Sequence, residues 1–293
     1  MLVIYGRGYT DHRKLIGWAR RHGIPVILDC VEANSSFVGM GGRLSPVYWD
    51  WALGERLLPR KVDAMSVITR ALGESAAARG CPRTYLLASA EDFSGPPPEH
   101  PAGQGAFRIA YVGALLPRDN PSFVADLAEA LARSGGVALD ILGRYDSVPE
   151  AAPYVARLRA LEASGAVRLH GAPDDATLAA TLARADALLL PRRDSPAEVA
   201  AFPTRLAECL RTARPVLASA VGDIPFHLRD GVDAVLLDPA DVAQAAAKAL
   251  ALSRLPDRGA AIGRAGYLRG RERFDRMTHA RELLALADAI RRE

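Results

Sequence analysis

Cysteine is scarce in this chain. There are three, at positions 30, 81 and 209, with no Cys-x-x-Cys spacing. Cys30 and Cys209 lie in apolar surroundings and read as small core residues, which fits a reducing compartment. Long hydrophobic runs are also missing: no stretch approaches the roughly 20 apolar residues of a membrane span. Basic runs with interleaved aromatics are absent, which argues against nucleic acid as a partner. No cluster of His, Cys, Asp and Glu suggests a metal. The amino terminus has neither a charged leader nor a cleavage site, so the expected location is the cytoplasm. The 37 Lys and Arg against 34 Asp and Glu leave a net charge of +3. That value is compatible with an anionic ligand or a membrane-peripheral contact and is too mild to argue for either. Nearly all the cations are Arg and Ala is abundant, a bias that a GC-rich genome explains.

What is present is ordinary globular composition, 49% hydrophobic and 24% charged over 293 residues, enough for two domains with their own cores. Short apolar runs alternate with longer helical periods. Strands are expected at 2–5, 25–30, 64–69 and 84–89. Helices are expected at 11–22, 45–58 and 70–79, with Ser45 as a cap and Pro46 in the first turn. Residues 93–105 are aperiodic and dense in Pro and Gly, and read as a linker. A second alternating series follows. Its strands are expected at 108–112, 138–142, 167–170, 187–190, 216–219 and 234–237. Its helices are expected at 121–133, 154–164, 174–184, 203–212, 224–229 and 242–251, and a last helix at 276–292. Strands alternating with helices imply parallel sheets joined by right-handed crossovers, an α/β protein of two Rossmann-like domains.

The most specific stretch is Phe202, Pro203, Thr204, Arg205, Leu206 and Glu208, followed by Arg214-Pro215-Val216 and Val221-Gly222-Asp223-Ile224-Pro225. It reads as loop, helix, buried strand and glycine turn, and a helix start suits a phosphate. The stretch resembles the donor-binding signature of retaining GT-B glycosyltransferases, the group that includes glycogen synthases and bacterial mannosyltransferases. Its form there is F-P-[ST]-[KR]-L-x-E, then [GA]-[KR]-P-V, then V-G-[DE]-I-P. About a dozen ordered positions match, far more than a lone glycine motif. The resemblance implies two domains facing a cleft. Residues 1–95 would form a shortened acceptor-side domain, 96–105 a linker and 106–272 the donor domain. Residues 273–293 would be a helix crossing back to the first domain. The turn Gly6-Arg7-Gly8 fits an internal strand–helix turn better than the family's first glycine loop.

The resemblance also implies roles. Glu208 would hold the ribose hydroxyls of a nucleotide-diphosphate sugar of UDP or GDP type, the alternative being a solvated helix glutamate. Phe202, Pro203 and Thr204 lead into the helix, and Arg205 would meet the diphosphate or stand as a surface arginine. Gly113 follows the first donor-domain strand. Gly143 and Arg144, and likewise His170 and Gly171, resemble turns near the donor, though both also fit ordinary strand ends; His170 reads more as a turn residue than a catalyst. In the first domain, Glu32 stands near a family histidine and either binds an acceptor hydroxyl or has no role. Trp18, Tyr48, Trp49 and Trp51 read as core, or as a stacking surface for an acceptor. No cofactor or metal is implied beyond the donor.

Three departures stand out. The family's second glutamate falls on Ala200, with Glu198 nearby and expected to face solvent. The loop V-G-R-L-x-x-x-K-G becomes Val112, Gly113, Ala114, Leu115, Leu116, Pro117, Arg118, Asp119, Asn120, so the usual Arg is Ala114 and the usual Lys is Asp119. Arg118 is the candidate replacement cation. The leading expectation is transfer of a hexose, with retention, to a small-molecule, lipid-linked or glycan acceptor. The alternative is a catalytically weak relative that works as a homodimer or beside a partner glycosyltransferase. A sugar-nucleotide epimerase ranks last, because no acid and histidine groups can be assigned to it.

Overall fold

The structure is a computed structural model describing residues 1–6, 8–33, 42–100 and 105–292. Arg7 of the first glycine turn and residues 101–104 of the expected linker lie outside the described residues. In chain order the elements are β1 (Leu2–Tyr5), α1 (Tyr9–Arg21), β2 (Val26–Cys30), α2 (Pro46–Leu57), β3 (Ala64–Val67), α3 (Arg70–Ala78) and β4 (Thr84–Leu86). Then come β5 (Phe107–Val112), α4 (Pro121–Ser134), β6 (Val137–Leu142), α5 (Ala152–Ala160), β7 (Val167–Gly171), α6 (Asp175–Arg184) and β8 (Ala187–Leu190). The remainder is α7 (Pro196–Val199), α8 (Arg205–Arg211), β9 (Val216–Ser219), α9 (Ile224–His227), β10 (Val235–Leu237), α10 (Val242–Ser253), α11 (Pro256–Phe274) and α12 (Arg276–Arg291).

The chain divides into two compact units. One comprises Met1–Asp92, Ser195–Thr204 and Phe274–Glu293, the other Phe93–Asp194 and Arg205–Arg273. The first holds a parallel sheet in the order β1-β2-β3-β4. Ile4, Leu28, Cys30, Met65 and Val67 face Ile16, Ala19, Leu72 and Ala76 of the crossover helices. On the opposite face Ile27 and Ala64 meet Leu286 and Ile290 of α12. The second unit holds a parallel sheet in the order β10-β9-β8-β5-β6-β7. Its core joins Ile109, Leu139 and Ile141 to Val124, Leu127 and Leu131 of α4. The order reverses between β5 and β8, and in such open sheets ligands bind at the carboxyl ends of the strands beside that reversal.

Local chemistry explains most boundaries. Asp174 caps α6 by accepting from the Thr177 N–H at 2.7 Å, and Asp275 caps α12 through Met277 and Thr278. Ser45 stands before α2, but its side chain makes no capping bond, contrary to expectation. The helix expected at 154–164 is displaced toward the N-terminus and ends at Ala160, followed by a tight turn over Glu162–Ser164 that closes on Gly165.

The largest correction is α11, nineteen residues that the periodicity reading passed over. Gly259, Gly263, Gly266 and Gly270 hide its pattern, since each glycine costs a helix about 1 kcal/mol. The fold requires the last three. A β-carbon on Gly263 would collide with the Ala213 carbonyl, one on Gly266 with the Asp233 carbonyl, and one on Gly270 with the Phe93 ring. The described part of the Pro-rich segment is fastened to the same helix: Tyr267 Oη donates to the Gly95 carbonyl at 2.7 Å, and Phe93 is buried against the Tyr267 ring.

Candidate functional site

Three glycines end three adjacent strands of the second unit. Gly113 N–H donates to the Leu142 carbonyl after β5, and Gly143 N–H donates to the Gly171 carbonyl at 2.6 Å after β6. Gly171, closing β7, donates its own N–H to Tyr145 Oη, 2.6 Å away. Gly143 has φ +148°, and a β-carbon there would fall on the Gly113 carbonyl. Only a residue without a side chain lets these two strand ends come so close. The backbone is therefore bare at the place where an open sheet of this kind accepts a ligand.

The loop after β5 is built on Asp119, which is 1% exposed. Its carboxylate accepts from Tyr111 Oη at 3.0 Å and from the Leu116 N–H at 3.3 Å. Tyr111 Oη in turn accepts from the Leu115 N–H at 3.1 Å. Burial, then the nearby Asp119 charge, pushes the Tyr111 phenol upward and keeps it a donor. Leu115 and Asn120 both take left-handed backbone conformations, with φ of 53° and 49°. The second falls where the family pattern has glycine, and asparagine tolerates that region.

Arg205 opens α8 and reaches this loop. Nη2 lies 3.0 Å from Asp119 Oδ1, and Nη1 donates to the Val112 carbonyl. A β-carbon on Gly113 would sit against the same guanidinium. The expected free cation thus shares its charge with Asp119. Sequence reasoning missed the Tyr111–Asp119–Arg205 chain. The signal was an acid standing at a lysine position near an arginine of the signature.

Other cations of the site are less engaged. Arg118 and Arg144 are both exposed, and neither guanidinium pairs with a described residue. Glu208 lies one turn beyond Arg205 in α8, exposed, and its carboxylate accepts no hydrogen bond from a described residue. The helix begins at Arg205 rather than at the expected Pro203, so its seven residues contribute little dipole. His170 is committed elsewhere. Its Nε2 is 2.8 Å from Asp140 Oδ1, and Arg108 grips the same carboxylate through two bonds of 2.7 Å. Burial opposes ionisation of Asp140, but the Arg108 and His170 hydrogen bonds outweigh it and hold the carboxyl below its usual range. Cys209, beside Glu208, packs against Ala110 and Leu142, and burial pushes its thiol up to about 12.

The other expected residues belong to the first unit. Phe202 is buried, its ring 5.6 Å from that of Phe274, so its side chain packs the interior instead of meeting a ligand. Pro203 is buried and Thr204 exposed. Ala200 receives Thr69 Oγ1 at its carbonyl. Glu198 is half-buried in α7, correcting the expectation that it faces solvent. Glu32 is exposed just beyond β2. Among the described residues no group of His, Cys, Asp and Glu could hold a metal ion, and no helix is long and apolar enough to cross a membrane.

These features define a GT-B-like α/β protein, with a doubly wound sheet whose carboxyl ends gather glycines, arginines and one open carboxylate. Residues 106–254, more than half of the chain, match the family described as Glycosyl transferases group 1. The chain belongs to that family and is a nucleotide-sugar-dependent glycosyltransferase. Among solved structures, Anabaena HepE in complex with UDP has a TM-score of 0.74 at 16% identity, covering 98% of this chain and 79% of that one. Sucrose-phosphate synthase from Thermosynechococcus elongatus gives 0.70 at 18% identity, covering 98% and 73%. A glycosyltransferase from Rickettsia africae gives 0.61 at 10% identity, covering 99% and 98%. At these identities the likeness is one of fold. Among curated proteins no relative matches.

Proposed function

We propose that the second unit binds a nucleoside-diphosphate sugar at the carboxyl ends of β5, β6 and β7, and that the protein transfers its hexose to an acceptor hydroxyl with retention. The observation that carries this reading is Glu208. It is an exposed carboxylate with no partner among the described residues, one turn from an arginine fixed at the bare Gly113–Gly143 contact. Two vicinal ribose hydroxyls suit such a two-oxygen acceptor. The pyrophosphate lies along the glycine turns, where no β-carbon keeps it from the backbone. Arg118, Arg144 and the remaining N–H groups of Arg205 offset the charge that develops on the leaving diphosphate, which is usually the main contribution to catalysis. UDP is the first nucleotide to try, because the HepE structure contains it.

Retention rests on the resemblance of residues 202–225 to retaining enzymes. In this reading the acceptor hydroxyl attacks the face that the diphosphate leaves and helps it depart. Ala200 offers no carboxylate to the donor sugar. Glu32 is the candidate contact for the acceptor, which is a small molecule, a glycan or a lipid-linked sugar. Family membership favours this enzyme over a catalytically weak partner protein.

The test is calorimetric titration with UDP, GDP, dTDP and ADP, followed by a sugar screen on the nucleotide that binds and NMR of the anomeric configuration in the product. Micromolar binding of one nucleotide and an unchanged anomeric configuration are expected. No binding by any of the four would overturn the donor site; an inverted product would overturn retention alone.

A further inference from the structure

The outer surface of the first unit does not resemble its core. Helix α1 packs against α2 and against one face of the sheet; Ile16 and Ala19 turn inward, as do Gly54 of α2 and Leu58 just beyond its end. Their outward faces present large apolar side chains to solvent: Leu15 is 46% exposed, Trp18 45%, Trp49 55% and Leu53 45%. Scattered exposed leucines need no explanation, but two tryptophans and two leucines on the outward faces of two adjacent helices do.

The charge around them has one sign. Helix α1 carries Arg13, Lys14, Arg20 and Arg21 against the single acid Asp11. Arg43, Arg56 and Arg60 are exposed on or beside α2. The acids of α2 are already engaged: Asp50 accepts from Thr10 N–H and Oγ1, and Glu55 pairs with Arg79. The face is thus apolar at its centre and cationic at its edge. A second copy of this chain would bring like charges together, which disfavours a homodimer through this surface.

We propose that the outward face of α1 and α2 docks the protein on an anionic lipid surface. Tryptophan rings settle at the boundary between headgroups and acyl chains, with Leu15 and Leu53 just below. Lys14, Arg13, Arg21 and Arg56 then lie at headgroup level, where anionic lipids attract them within a Debye length. The proposal is independent of the donor site, since it uses none of that site's residues.

Flotation with vesicles tests it. The protein is expected to rise with phosphatidylcholine vesicles containing phosphatidylglycerol, to stay behind with phosphatidylcholine alone, and to be released by salt. All three tryptophans of the chain, Trp18, Trp49 and Trp51, lie on these two helices. Their emission is therefore expected to shift to the blue and to be quenched by brominated lipid. Leu15→Glu, Trp18→Glu and Leu53→Glu together should lower partitioning by on the order of tenfold or more. Lys14→Glu with Arg21→Glu should remove the preference for the anionic lipid. Failure to float with phosphatidylglycerol at low salt, equal binding to both vesicle types, or an absence of quenching would overturn the proposal. So would a dimer in sedimentation that dissolves in the triple variant, because the face would then belong to a second copy.

Discussion

The two sheets begin their strands in the same way and end them differently. In the first unit Asp63, just before β3, accepts from the first N–H of β2 at 2.7 Å; in the second, Asp186, just before β8, accepts from Arg108 of β5 at 2.7 Å. At the other end they part. In the first unit β3 leads to Thr69, whose hydroxyl caps α3. In the second, β5, β6 and β7 end in glycine, with Tyr111, Asp119 and Arg205 fixed beside the first of them. The amino ends of the strands carry the architecture. In our proposal the carboxyl ends of β5, β6 and β7 carry the chemistry, because a ligand there meets backbone with no side chain in the way.

The comparison breaks most severely if Gly143 receives a side chain. Gly143→Val would press on the Gly113 carbonyl and would strain a backbone at φ +148°. It should cost more than about 3 kcal/mol, seen as a large drop in melting temperature together with lost nucleotide binding. A glycine outside the site sharpens the point. Gly263→Ala meets the Ala213 carbonyl, and overpacking of that kind costs about 1–3 kcal/mol. Its expected signature is a lower melting temperature with nucleotide affinity unchanged in the folded fraction.

Arg205→Lys keeps a cation but loses the fork that reaches both Asp119 and the Val112 carbonyl. We expect kcat/KM to fall by on the order of tenfold to a hundredfold, mostly in kcat, with a stability loss of about 1–3 kcal/mol from the weakened partner of a buried carboxylate. Equal kinetics in Arg205→Lys would show that the guanidinium only braces the loop. A smaller effect is acid sensitivity. Asp140 titrates below its ordinary value in the folded protein. Its contribution is therefore complete above about pH 4 and is lost as pH falls through the folded value. Urea midpoints measured from pH 7 down to pH 3 should decline less steeply in Asp140→Asn than in the unaltered protein.

Much of this was legible in the sequence, and the reasons differ by region. Ala187–Leu190 and Val216–Ser219 were read to the residue, because fully buried parallel strands are short unbroken apolar runs. The helix α11 was not, since its glycines answer to the carbonyls of Ala213 and Asp233, partners more than twenty residues away in the chain. The signature at 202–225 pointed to the family that residues 106–254 match. It could not say that Phe202 packs on Phe274, or that Asp119 pairs with Arg205; both depend on distant contacts. His170 read as a turn residue more than a catalyst, but the sequence could not show that its ring is held by Asp140 from the neighbouring strand.

The central claim is that the carboxyl ends of the second sheet form a nucleoside-diphosphate site with Glu208 at the ribose. Calorimetric titration of UDP, GDP, dTDP and ADP into the protein and into Glu208→Ala tests it most directly. The account predicts micromolar binding of one nucleotide and its loss, by about a hundredfold, in a variant that melts at an unchanged temperature, since two charge-assisted hydrogen bonds account for about 3 kcal/mol. Equal affinity in the two proteins would contradict it.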